Sequence, residues 1–162
     1  MKYSYEITRD DFVNFSKFYY FKTRFKKNII TYVVIIILVQ YYLNRNQFDL
    51  KATIISVVGI VIAIVLSFYI AFNRVKKLPS ENGTILGLRT IELTENEITC
   101  TTDSSSSMVN WSKVRSLEKD DKYYYLFLDT NSAYIIPKHV FANQNEESTF
   151  IEFVKSKIKT TA

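Results

Sequence analysis

With a single cysteine, Cys100, this 162-residue chain cannot form an internal disulfide, which agrees with a reducing compartment. The lone histidine, His139, has no histidine partner for a metal. Three glycines (Gly59, Gly83 and Gly87) are too few and too scattered for a phosphate loop or a dinucleotide fingerprint. Residues 1–28 lack the apolar segment and small-residue cleavage site of a secretory signal, so no cleavable leader is expected.

Two neighbouring stretches lack charge altogether. Residues 52–72 are 21 uncharged residues, about 30 Å at helical rise, which matches the hydrocarbon thickness of a bilayer. Residues 29–43 are 15 by the same count, and Asn28 and Asn44 extend them toward the headgroups. Tyr41 and Tyr42 stand where an aromatic belt belongs. A two-helix transmembrane hairpin over 29–72 is predicted. Its spans contain no Asp, Glu, Lys, Arg or His, so a transporter or channel working alone is not expected. Gln40, Thr31, Ser56 and Ser67 are expected to hydrogen-bond between the spans, and Gly59 to let them approach.

The net charge of +5 divides unevenly along the chain. Residues 1–28 carry seven basic and three acidic residues, residues 73–78 three basic and none acidic, and residues 79–162 nine basic and twelve acidic. The turn between the spans, 44–51, holds only Arg45, Lys51 and Asp49. The positive-inside rule therefore predicts a multi-pass plasma-membrane protein with both termini cytoplasmic and the turn near Gln47 outside. Lys17, Lys22, Arg24, Lys26 and Lys27 before the hairpin, and Arg74, Lys76 and Lys77 in a basic link after it, are the expected contacts for anionic lipid headgroups. The acidic soluble part argues against nucleic acid as a partner.

Residues 2–7 alternate as a strand, and Thr8 with Asp11 resembles a capping box opening a helix over 9–27. Two uses of that helix share one apolar face: lying ring side down at the membrane, or packing Phe12, Phe15 and Tyr19 on the soluble domain. Beyond Pro79, β-prone runs at 88–94, 97–103, 108–111, 122–130 and 133–136 read as antiparallel meanders. The three-residue spacing of Trp111, Val114 and Leu117 implies a tight turn or bend. A closing amphipathic helix over 145–159, with Asn143 and Glu146 spaced as a cap, completes residues 79–162 as an α+β cytosolic domain. The predicted fold is an antiparallel β-sheet or partial barrel with a C-terminal helix, the outline of a pleckstrin-homology-like domain. Trp111, Ile136, Pro137, Phe141, Phe150 and Phe153 are its expected core.

Four segments carry a family resemblance: Tyr-Glu-Ile-Thr-Arg-Asp-Asp-Phe at residues 5–12, the stretch 87–93, Val-Asn-Trp-Ser-Lys-Val at 109–114 and Ile-Pro-Lys-His-Val-Phe at 136–141. In their order around two apolar spans, the chain resembles the YcxB-like bacterial membrane proteins. The resemblance implies a pleckstrin-homology-like cytosolic domain and carries over no catalytic residue.

Residue chemistry adds little to this. His139 reads as a polar turn residue and Cys100 as a half-buried strand cysteine. Ser104 to Ser107 read as a flexible loop rather than a phosphate cradle. Lys113, Arg115, Lys119 and Lys122 are interleaved with Glu118, Asp120 and Asp121 and read as a solvated face. No catalytic, cofactor-binding or metal residue is assigned and no cofactor is expected. The expected function is a membrane-anchored, non-catalytic adaptor for a protein or peptide partner. An immunity protein against a toxin is the alternative, an enzyme is disfavoured, and self-association into a homo-oligomer is left open.

Overall fold

The computed structural model describes residues 1–45, 49–79 and 85–161; Gln47 and Gly83 lie outside the described residues. The chain forms two compact units, Ser16–Leu78 and Met1–Phe15 with Pro79–Ala162. Helix α1 (Arg9–Thr23) runs from the second of these into the first, followed by α2 (Phe25–Leu43) and α3 (Leu50–Lys77).

The helical unit is a hairpin. Thr8 and Asp11 cap α1 reciprocally: the Thr8 amide donates to Asp11 Oδ2 at 2.7 Å and the Asp11 amide to Thr8 Oγ1 at 3.3 Å. α1 gives way to α2 at Arg24 rather than after Lys27. The Arg24 amide still bonds Tyr20 O at 2.9 Å and the Asn28 amide bonds Arg24 O at 3.0 Å, so the backbone ladder hardly breaks. Lys26 and Lys27 consequently lie in the first turn of α2, because charged residues with long stems do not oppose helix formation. For the same reason Arg74, Lys76 and Lys77 form the last turn of α3 and not a separate link. Asp49 caps α3, accepting from the Lys51 and Ala52 amides at 2.8 and 3.2 Å.

The other unit is built from two antiparallel sheets. The first has the order β1 (Lys2–Ile7), β2 (Gly87–Leu93), β3 (Glu97–Thr102), β4 (Ser106–Asn110), and the second the order β5 (Ser116–Lys119), β6 (Tyr123–Phe127), β7 (Ala133–Pro137). β1 buries Tyr3, Tyr5 and Ile7 on one face and pairs with β2 in the register Lys2↔Glu92 to Ile7↔Gly87. Residues 1–15 thus belong with the sheets, since a lone strand leaves its backbone groups unpaired. Gly87 opens β2 at a φ of 101°, a left-handed conformation that a side chain would strain.

A single 3₁₀ turn, Trp111–Lys113, stands at the expected bend between the sheets, and β5 follows it unannounced. The run Ser104 to Ser107 is an ordered hairpin turn and the start of β4, not a loop. The Thr102 amide donates to Ser105 O at 2.8 Å and the Ser105 amide to Thr102 Oγ1 at 3.1 Å.

Helix α4 (Gln144–Thr161) closes the unit. Asn143 Oδ1 accepts from the Glu146 amide at 3.0 Å, and Glu146 reaches back to the Ala142 amide at 2.7 Å. Its Phe150, fully buried, meets Tyr3 of β1, Tyr124 of β6 and Phe141 at ring separations of 6.0, 5.6 and 5.1 Å, so rings from both sheets and the helix share one core. Trp111, Ile136, Pro137 and Phe141 are buried as expected. Phe153 is only half-buried, lying at the rim against the Trp111 ring at 5.8 Å.

Candidate membrane interface

The helices α2 and α3 are long and apolar enough to cross a membrane, and their apolar windows contribute no buried residue. Gln40 Nε2 donates to Ser56 Oγ at 2.6 Å, joining the helices near their connecting turn, and Asn44 Nδ2 reaches Thr53 Oγ1 at 3.2 Å. Thr31 and Ser67 do not take the expected interhelical role. Their hydroxyls donate to Lys27 O at 3.1 Å and Ile64 O at 2.7 Å within their own helices. Gly59 does not mark a close approach either: a Cβ there would meet nothing within 4 Å.

At the opposite end the hairpin is braced by aromatic rings. Tyr20 meets Phe68 at 5.4 Å and Phe72 at 6.0 Å, Tyr32 meets Phe68 at 6.4 Å, and the Tyr20 hydroxyl accepts from Asn28 Nδ2 at 2.8 Å. The two halves of the aromatic helix α1 pack in different units. Its first half, through Val13 and Phe15, packs in the sheet unit, where Phe15 meets Tyr125 at 5.5 Å and Phe127 at 6.1 Å. Phe12 is only half-buried there. The second half, through Tyr20 and Phe21, packs on the hairpin, so one helix serves two cores.

All eight expected headgroup contacts gather at this aromatic end. Lys17 lies over the Phe72 ring at 5.9 Å, Lys22 and Arg24 flank the break between α1 and α2, Lys26 and Lys27 start α2, and Arg74, Lys76 and Lys77 end α3. By sequence, residues 16–78 hold ten basic residues and one acidic, Asp49, for a net +9. The remainder holds eleven basic and fifteen acidic, for −4. Charge is therefore segregated by unit far more sharply than the overall +5 suggests. The cations at the C-terminus of α3 complement its helix dipole.

In the sheet unit Cys100 and His139 lie on separate elements. Cys100 is buried on β3 and burial raises its thiol pKa, an effect partly offset by Arg89, so the nucleophilic thiolate is disfavoured. His139 is exposed in the 3₁₀ turn Lys138–Val140, and no metal-holding cluster occurs among the described residues. Arg115 bonds Thr130 Oγ1 at 2.8 Å and pairs with Asp129 at 3.6 Å on an exposed face.

Three consecutive tyrosines of β6 anchor their surroundings through carboxylates. Tyr123 donates to Asp11, Tyr124 to Glu147 at 2.6 Å and Tyr125 to Asp120 at 2.6 Å. Burial first, and then the carboxylate partner, raises each phenol, Tyr124 to about 12. The sequence gives no sign of these pairings, which join residues up to 112 positions apart. Tyr5, also raised by burial, keeps its hydroxyl enclosed without a hydrogen-bond partner among the described residues.

A groove of about 370 Å³ lies beside α4. Lys2 and Tyr3 of β1 form one wall and Asn145, Glu146 and Thr149 of α4 the other. Among the described residues β1 is an edge strand, paired only with β2.

Residues 93–154 match the family model of the YcxB-like proteins. No curated protein and no solved structure matches the chain.

Proposed function

We propose that this chain, which carries a YcxB-like domain over residues 93–154, is a membrane-anchored, non-catalytic interaction module at the inner face of the plasma membrane. In this reading α2 and α3 cross the bilayer as a hairpin, with both termini in the cytoplasm. The observation that carries it is that neither apolar helix has a buried residue anywhere in its window. Apolar surface of that extent needs lipid or protein to cover it. Eight cations at one end of the hairpin, against Arg45 and Lys51 near the other, support the orientation. They also supply contacts for anionic headgroups, at about 1 kcal/mol per charge near the surface.

The sheet unit is read as pleckstrin-homology-like. The support is its four-stranded and three-stranded antiparallel meanders closed by a C-terminal helix. The partner is read as a peptide or protein segment that adds to the free edge of β1 and sets side chains into the groove against α4. A photo-crosslinking residue placed at Thr149, in the groove, should give a discrete protein adduct in native membranes. The same residue at Asp103, in the β3–β4 turn, should give none. Equal adducts at both positions, or none at Thr149, would contradict the reading.

A further inference from the structure

The open side of β1 has a definite hydrogen-bonding phase. The Met1 amine donates to Leu93 O at 2.9 Å and the Leu93 amide donates back to Met1 O at 2.8 Å, so these two residues form a hydrogen-bonded pair of the antiparallel ladder. In the register Lys2↔Glu92 to Ile7↔Gly87 such pairs recur at Tyr3, Tyr5 and Ile7, whose amides and carbonyls face β2. The amides and carbonyls of Lys2, Ser4 and Glu6 therefore face away from β2, and among the described residues no strand pairs with them. All three side chains are exposed, with Ser4 Oγ 2.8 Å from Thr90 Oγ1 on the outer face. Sheet edges are ordinarily guarded by proline, by a bulge or by a charge that would meet its like. β1 has no proline, and its register with β2 is unbroken over six residues. Its lysine is answered by a glutamate at the symmetry-related end of the same strand.

We propose that β1 pairs antiparallel with β1 of a second copy of this chain, about a two-fold axis at Ser4, joining two four-stranded sheets into one continuous sheet. The inference rests on the reading of the β1 edge as the docking site and names its occupant. Lys2 then lies opposite Glu6 of the second copy, Ser4 opposite its Ser4, and Glu6 opposite its Lys2. Each pair exchanges both backbone bonds, so this register uses every outward-facing group of the strand. It also opposes unlike charges twice. A two-fold axis at Lys2 or at Glu6 would instead oppose like charges, and one at Tyr3 or Tyr5 would leave an outward residue without its opposite. In the proposed register Lys2, whose Nζ is 3.9 Å from Glu92 on β2, stands between two carboxylates. β4, at the other edge of the same sheet, holds no charged residue to fix a register. Holding both copies in one bilayer raises their effective concentration, so a short edge suffices.

The test uses the full chain in native membranes, in a Cys100→Ser background. Ser4→Cys sets two thiols on Cα atoms about 5.5 Å apart, within disulfide reach, and oxidation should give a covalent dimer. Glu6→Cys should give none, because its two copies lie four residues apart along the strands, about 14 Å. Glu6→Cys co-expressed with Lys2→Cys should link as a mixed dimer. Charge is tested in the Ser4→Cys chain. Glu6→Lys or Lys2→Glu alone opposes like charges twice and should weaken association about tenfold. Co-expression of those two variants restores both unlike pairs, and their mixed dimer should form at the native level, which also shows that each variant folds. Absence of the Ser4→Cys dimer, linkage indifferent to charge, or failure of the mixed dimer would overturn the second copy. If the Thr149 photo-adduct then contains a different protein, docking at the edge stands and only its occupant is refuted. Loss of both the Ser4→Cys dimer and the Thr149 adduct would refute the edge reading itself.

Discussion

Trp111 is the residue on which the sheet unit's stability should depend most visibly. It is 5% exposed, its ring stands edge-on to Phe153 at 5.8 Å, and its Nε1 donates to Thr94 O at 3.0 Å. Trp111→Ala removes the ring and leaves a cavity under α4, at a cost of about 3 to 5 kcal/mol. Domains of this size are stable by about 5 to 15 kcal/mol, so the loss would be a large share of the whole. Trp111→Phe is the informative comparison. It retains part of the ring and gives up the indole bond, whose acceptor belongs to the exposed Thr94 and can be rehydrated, so that bond should account for only about 1 kcal/mol. Both variants can be measured in the full chain in nanodiscs by pulse proteolysis across a urea series. As the chain's one tryptophan, Trp111 also reports on itself: its native emission should be blue-shifted and protected from acrylamide. A cost below about 1 kcal/mol for Trp111→Ala, or water-like emission from the native chain, would refute the burial argument.

The raised Tyr124 phenol sets an alkaline limit. Its folded pKa of about 12 exceeds the unfolded value of about 10, so its contribution is complete below pH 10 and is lost as pH rises toward 12; Tyr124→Phe should flatten that loss in an unfolding titration. Cys100 should resist a thiol reagent in the native chain and react on unfolding, and Cys100→Ser with His139→Gln should leave the Thr149 adduct intact; loss of the adduct with normal insertion would favour a catalytic role. Gln40→Leu should weaken the hairpin by about 0.6 kcal/mol in a detergent-unfolding assay, and Ser67→Ala, whose hydroxyl bonds within its own helix, by less.

Elements governed by local pattern were legible in the sequence. Alternation marked β1, β2 and β3, and the Asn143–Glu146 spacing marked the start of α4. β5 was not legible: Ser-Leu-Glu-Lys is short and fully buried at no position, and its Leu117 falls in step with Trp111 and Val114 as though one bend continued. The boundary at Arg24 was misplaced because charge was used to end a helix, whereas charge ends only the apolar window within it. The partnership of β1 with β2, across 79 intervening residues, has no local signature at all. Of the interface, the cations were readable one by one. The packing of Tyr20 on Phe68 and Phe72 depends on how the helices meet, which no single segment encodes.

The account stands or falls on the hairpin's orientation in the bilayer. A compartment-sensitive reporter fused after Ala162, and inserted separately at Gln47, measures it directly in living cells. The C-terminal fusion should report the cytoplasm and the Gln47 insertion the outside. An outside signal from the C-terminal fusion, or cleavage of the sheet unit by protease added to intact cells, would contradict it.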